Sequence, residues 1–307
     1  MKFLYRYLLV FLPIMLSAQN ELQIPLAGKI DRIENFPSAF VAARNVDVWL
    51  PENYDGKKKF AVLYMHDGQM LFDSTHTWNN QSWDVDDIAT KLLQSQKIRN
   101  FIVVGIWNIP EIRHTNYFPK KPFESLSKAE KEAISHQLAE KGRTTTAFQP
   151  NSDDYLKFIT QELKPYIDQH YSVHTNRKNT FIAGSSMGGL ISMYAICEYP
   201  HIFGGAACLS THWVGTFSLE NNPIPQAFFH YLDQNLPKAS THKFYFDCGD
   251  QTLDALYPPL QQQVDSIMQK HAYTHKNWQT RYFEGKDHSE NAWKERLDIP
   301  ILFLFAK

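Results

Sequence analysis

Seven short apolar runs punctuate this chain, at residues 39–50, 60–66, 101–107, 179–185, 205–209, 243–248 and 280–283. They are rich in β-branched or aromatic residues, and Gly, Pro, Asn or Asp bounds most of them, which predicts strands. A helix is predicted over 85–94, before the 101–107 run, and helical sequence lies between most of the later runs, over 153–170, 189–198, 260–270 and 289–305. Near-continuous apolar strands alternating with helices imply a mostly parallel sheet with helices on both faces. One doubly wound α/β domain is the simplest account, and 307 residues are enough for it.

Two segments break this rhythm. Residues 108–152 carry Pro110, Pro119, Pro122 and Pro150, a charged stretch at 124–143 that suits a helix, and little strand signal. The flanking strands belong to one sheet, so this segment is expected as a lid-like insertion over the C-terminal edge of that sheet. At the N-terminus, Lys2 and Arg6 precede an apolar run at 8–16, and Ser17-Ala18-Gln19 offers a small-residue cleavage site. That is the layout of an export signal over residues 1–18, with the folded domain over 19–307. The expected location is periplasmic or secreted. The apolar run is too short to span a bilayer comfortably, so no stable membrane insertion is expected after cleavage.

Charge narrows the partners. Lys+Arg 31 against Asp+Glu 32 gives a net charge of -1. No basic excess is present to hold a phosphate backbone, which argues against nucleic acid. Three cysteines, Cys197, Cys208 and Cys248, are too few and too oddly spaced for a complete disulfide framework. Whether Cys208 and Cys248 pair is left open by the sequence.

The chemistry concentrates at Gly184-Ser-Ser-Met-Gly188, between a predicted strand and a predicted helix. This is the pattern of a serine on a sharp strand-to-helix turn, with its hydroxyl clear of the sheet. Ser186 is the candidate nucleophile. Gly184 and Gly188 are expected where strand and helix backbones nearly touch. The amide of Met187, at the helix N-terminus, is aimed where a tetrahedral oxyanion would form. A second oxyanion donor is expected from the turn after residues 61–66, at the amide of Gly68 or Gln69.

A serine hydroxyl needs a base, and the base an orienting acid. In this fold they should follow in the order serine, acid, histidine. The chain contains 13 histidines, but His288 alone lies on the last strand-to-helix loop. It is the expected base. The acid is Asp254 or Asp250, both on the loop after 243–248, with Asp254 favoured. His66, Asp67, Asp73 and His76 are a weaker alternative as a metal site, since their spacing fits no familiar ligand pattern. No metal and no cofactor are expected.

With these residues in place, the chain resembles the Putative esterase family of α/β-hydrolases, which includes esterase D-like, feruloyl and enterochelin-type esterases. The resemblance runs from about Phe40 almost to Lys307, through Val62-Leu-Tyr-Met-His-Asp-Gly-Gln69, Val104-Gly-Ile-Trp-Asn108, Gly184-Ser-Ser-Met-Gly-Gly189 and His288-Ser-Glu-Asn-Ala-Trp293. It implies Ser186 as nucleophile, His288 as base and Asp254 as acid. It also places Arg113 near the pocket mouth, where its fork of donors either holds a carboxylate or phenolate of an acyl group or braces the insertion through a salt bridge. Trp107, Trp78, Trp83 and Trp213 are first of all packing residues, though any of them suits stacking on an acyl group or a sugar.

The expected activity is therefore a secreted serine carboxylic-ester hydrolase acting through an acyl-enzyme on a small-molecule ester, either an acylated sugar or a siderophore-type ester. An acyltransferase with the same triad, or a catalytically silent binding protein on the same scaffold, are the alternatives.

Overall fold

The computed structural model describes residues 23–145 and 147–307; the export signal expected over 1–18 lies outside them. One eight-stranded sheet organises the chain, from β1 (Lys29–Phe36), β2 (Arg44–Leu50), β3 (Ala61–His66) and β4 (Phe101–Ile106) to β5 (Thr180–Ser185), β6 (Gly205–Leu209), β7 (Lys243–Cys248) and β8 (Trp278–Tyr282). Their spatial order is β1-β2-β4-β3-β5-β6-β7-β8. The pairs β1/β2 and β2/β4 are antiparallel, and every later pair is parallel. This is the order of an α/β-hydrolase sheet.

The helices are α1 (Val85–Gln94), α2 (Pro110–Tyr117), α3 (Lys120–Glu124), α4 (Lys128–Glu140), α5 (Ser152–Lys157), α6 (Lys164–His170), α7 (Met187–Glu198), α8 (Ile224–Asn235), α9 (Pro258–Lys270), α10 (Glu290–Lys294) and α11 (Asp298–Phe305). Period-two alternation along the central strands feeds two cores. Val62 and Tyr64 of β3 join one face with α7 and α8, while Ala61, Leu63 and Met65 join the other with α11. α7 is buried on all sides, which is why its apolar residues show no helical stripe.

Four departures from the sequence reading stand out. β1 was not anticipated, because an edge strand with Lys29, Asp31, Arg32 and Glu34 reads as charged loop; residues 39–43 are a turn before β2, held by Ser38 Oγ. The helix expected over 289–305 is two helices. Pro300 has no N–H to donate and sits in the first turn of α11, where that lack costs nothing, so the chain breaks at 295–297. Over 153–170 the helix widens into a π-turn at Phe158–Leu163, just before Pro165. α8 was also missed; its apolar residues Ile224, Phe228, Phe229, Tyr231 and Leu232 face the core.

The segment at 108–152 folds as α2, α3 and α4 and packs over the C-terminal ends of the parallel strands. Phe118 meets the rings of Phe148 and Phe228 at 5.2 and 5.3 Å, tying it to α8. Gly184 and Gly188 differ from expectation in one respect. A Cβ on Gly184 would lie 2.7 Å from the Gly188 carbonyl carbon, whereas one on Gly188 would meet only ordinary contacts at 3.4 Å. Gly184→Ala should therefore cost about 1–3 kcal/mol of stability through overpacking. Gly188→Ala should stay within about 1 kcal/mol of the parent protein, since a helical alanine is favourable. Urea unfolding midpoints measure the difference.

Candidate active site

Every loop that matters here leaves the C-terminal end of a strand. Ser186 stands between β5 and α7 with φ 55 and ψ -122, a conformation a non-glycine residue adopts only when its surroundings impose it. Three backbone bonds do so. Its amide donates to Leu209 O at 2.9 Å, and its carbonyl accepts from Leu190 at 3.0 Å and from His212 at 3.2 Å. The Met187 amide opens α7 and has no acceptor within the helix.

The loops after β7 and β8 are laced together. Lys286 O accepts from the amides of Asp250 and Gln251, and Thr252 Oγ1 accepts from the His288 amide at 3.0 Å. This brings Asp254 Oδ1 to within 2.5 Å of His288 Nδ1. Asp254 is completely buried, and its other oxygen accepts from Ser210 Oγ at 2.6 Å and the Gly249 amide at 2.7 Å. Asp250 lies elsewhere: half-buried, it accepts from Tyr282 Oη and the Gly285 amide and so shapes the turn below His288. Those bonds hold its carboxyl below the usual range. Of the two candidate acids, only Asp254 reaches the imidazole.

Behind Asp254 runs a buried network in which Trp293 was expected to anchor the His288 loop, while Ser210 and Arg296 had no counterpart in the sequence reading. Ser210 Oγ accepts from Trp293 Nε1 and from Arg296 Nη2, both at 2.9 Å. Arg296, 2 % exposed, sits in the break between α10 and α11 and pairs with Asp247 at 2.9 Å. Trp293 also stands edge-on to His288, with ring centroids 5.0 Å apart.

Among the described residues Ser186 and His288 share no hydrogen bond, and the Tyr257 ring stands edge-on to His288 with centroids 5.8 Å apart. Catalytic hydrogen bonds commonly tighten only when substrate arrives. Gly68 opens a turn packed so closely on β4 that a Cβ would lie 2.5 Å from the Gly105 carbonyl carbon. Gln69 uses its side chain to receive the Asn108 amide at 3.1 Å.

Arg113 and Trp107 have firm partners inside the protein. Arg113 forms a two-pronged pair with Asp67 at 2.8 Å on each prong, and Asn108 Nδ2 donates to the same carboxylate at 2.6 Å. Of its two expected roles, the salt bridge is the one formed. The Trp107 indole N–H donates to Asp47 at 2.8 Å, and Arg32 covers its ring at 4.6 Å. Trp83 and Trp213 are buried, while Trp78 is exposed. His66 is committed to Tyr155 Oη at 2.9 Å, and burial drives it down to about 3. Among the described residues no group of three or more His, Cys, Asp or Glu gathers as metal ligands would. All three cysteines are buried and free, so Cys208 and Cys248 are unpaired.

A doubly wound sheet with a strained serine at the central strand-to-helix turn defines an α/β-hydrolase. Residues 38–300 match the family model described as Putative esterase, and the chain belongs to that family. The uncharacterized protein YbbA of Bacillus subtilis is 29% identical over 172 residues, 55% of this chain and 58% of that protein. The chain spans less than two thirds of the length of the curated relatives it matches. Among solved structures, a ferulic acid esterase shares 18% identity with a TM-score of 0.64, covering 90% of this chain and 97% of its own. The enterobactin esterase of Shigella flexneri shares 16% identity with a TM-score of 0.60, covering 92% of this chain and 60% of its own. At such identities these structures establish the fold. No helix among the described residues is long and apolar enough to cross a membrane.

Burial alone would raise the Asp67 carboxyl, but Arg113 and Asn108 outweigh it and hold it below the usual range. A carboxyl lowered on folding stabilises the protein above its unfolded value, near ~4, and loses that contribution as pH falls through the lower folded value. Arg113→Met should therefore cost about 2 kcal/mol at pH 7, and the gap to the parent protein should close below pH ~4. Unfolding curves at stepped pH test this.

Proposed function

We propose that this protein is a serine esterase that works through an acyl-enzyme, with Ser186 as nucleophile, His288 as general base and Asp254 as the orienting acid. The observation that carries the reading is the 2.5 Å contact between Asp254 and His288 Nδ1 beside a serine on a strained turn. That contact commits Nδ1 to the carboxylate and leaves Nε2 as the nitrogen free to take a proton.

In the first half-reaction Ser186 Oγ attacks the acyl carbon while its proton passes to Nε2 of His288. The carbonyl oxygen becomes an oxyanion, for which the Met187 amide and the amides of Gly68 and Gln69 are the proposed donors. Collapse expels the alcohol, which takes the proton from His288. Water then repeats the sequence on the acyl-enzyme and releases the acid. The buried Asp254 carboxylate stabilises the imidazolium formed in each half.

For substrate we propose an acylated sugar or a siderophore-type ester met outside the cytoplasm. The basic and apolar residues at 2–16 support export. The ferulic acid and enterobactin esterases of like fold support the ester class by analogy. Comparative turnover of feruloyl, acetyl-sugar and catecholate esters ranks these, and added sugar acceptors would reveal acyl transfer.

Ser186→Ala should lower kcat on p-nitrophenyl acetate by about 10⁴-fold or more, and Asp254→Asn by about 10³-fold or more. Asp250→Asn should retain the parent kcat within a few-fold. Parent-level turnover by folded Ser186→Ala protein would refute the assignment.

A further inference from the structure

The segment ahead of β1 is strapped across the turn that carries the proposed oxyanion donors, and Gln23 is the side chain it sends inside. Ile24 and Leu26 are 71 % and 74 % exposed, whereas Gln23 is 1 % exposed. The backbone is held by carboxylates: Ile24 donates its amide to Asp73 at 3.3 Å, and Leu26 and Ala27 donate theirs to Asp86 at 2.5 and 3.3 Å. With its large apolar side chains in solvent, this strap adds little to either core.

The Gln23 carboxamide can sit only one way round. Its Nε2 donates to Asp47 Oδ2 at 2.8 Å and to the Gly68 carbonyl at 3.0 Å, and its Oε1 accepts from the Phe72 amide at 3.1 Å. Asp47 is itself fixed, fully buried on β2 and held by Arg32 and the Trp107 indole. One side chain thus ties both ends of the turn at 68–72 to the sheet.

Fixing the Gly68 carbonyl fixes the Gln69 amide. The carbonyl and N–H of one trans peptide are rigidly opposed, and the N–H that shares a peptide with the Gly68 carbonyl belongs to Gln69. In the sheet, β3 has β4 and then β2 on one side and β5 on the other. Gln23 and Asp47 draw the carbonyl toward the β2 side, which turns the Gln69 N–H toward the β5 side, where Ser186 stands. The Gln69 side chain, accepting from the Asn108 amide at 3.1 Å, steadies the residue from its other end.

We propose that Gln23 is a positioning residue that sets the direction of the Gln69 amide and makes it, rather than the amide of Gly68, the second oxyanion donor beside Met187. This rests on Ser186 being the nucleophile of an ester hydrolase. Without the carboxamide the peptide at 68–69 is free to rotate, and the oxyanion loses a donor while substrate binding is kept.

Turnover of p-nitrophenyl acetate and inhibition by a trifluoromethyl ketone test this together. The serine oxygen adds to the ketone carbonyl, the serine proton passes to His288, and the former carbonyl oxygen becomes an oxyanion. Gln23→Met keeps the side-chain length but none of the hydrogen bonds. It should lower kcat about ten- to a hundredfold with KM within about threefold, and weaken the ketone by a similar factor. Gln23→Asn, still a carboxamide but one methylene short, should fall between that variant and the parent protein, and it decides the matter if Gln23→Met does not fold. Gln261→Met removes another buried carboxamide, bonded to Trp213 and Asp265, and measures a merely structural loss. It should lower the melting temperature and leave kcat and ketone inhibition at the parent level. Folded Gln23 variants with parent kcat and parent ketone inhibition, or a loss equalled by Gln261→Met, would overturn the proposal alone. A Ser186→Ala protein with parent turnover, or a parent protein that the ketone does not inhibit, would overturn the underlying assignment as well.

Discussion

A fully buried carboxylate is the constraint around which the C-terminal third of this chain is arranged. Asp254 has no exposed surface, and an anion in such a place is tolerable only if each lone pair finds a donor. The donors are Ser210, the Gly249 amide and His288. Each depends on something further away. Ser210 is held from behind by Trp293 and Arg296, which reach it because Pro300 breaks the terminal helix. His288 is delivered by the loop that Lys286 and Thr252 stitch to the Asp254 loop. The proline, the arginine and the carboxylate therefore form one mechanical unit.

Strain at Ser186 is compensated by the same neighbourhood. The residue holds φ 55, which costs of the order of 1–3 kcal/mol for a side chain with a Cβ. Leu209 and His212, whose backbones restrain Ser186, bracket the turn that carries Ser210. That turn has its own positive φ at Ser210. The geometry of Ser186 and that of Asp254, the proposed nucleophile and acid, are thus set by a single short segment after β6. A displacement there would be felt at both ends of the proton relay.

The parts of this design legible in the sequence are those written in local pattern. The central strands, α1 and α9 follow from apolar periodicity, because burial of one face imposes its repeat, while α7 follows from its place directly after the elbow. The elbow and the last-loop histidine follow from position. Edge strand β1 escaped because an exposed edge tolerates charge, and α8 because its flanking prolines masked a helical face. Ser210, Tyr257, His212 and Arg296 were not legible as parts of a site. Their significance comes from contacts such as Arg296 with Ser210, 86 positions apart, and no local spacing encodes those. Arg113 shows the converse: its neighbourhood was legible, but its partner Asp67 lies 46 positions away.

The disposition of the arginines explains why the relay is electrically poised. Arg113 is engaged by Asp67 and Arg296 by Asp247, two pairs that each cancel their own charge. Asp254 is left with two neutral donors and an imidazole. In the proposed mechanism, a negative charge so placed gains its strongest partner when His288 becomes an imidazolium, as Ser186 gives up its proton. Had either arginine bound Asp254 directly, the carboxylate would already be compensated and would contribute less to the charge formed during reaction. Keeping Arg296 one residue away, with Ser210 as the spacer, supports the geometry of Asp254 without cancelling its field.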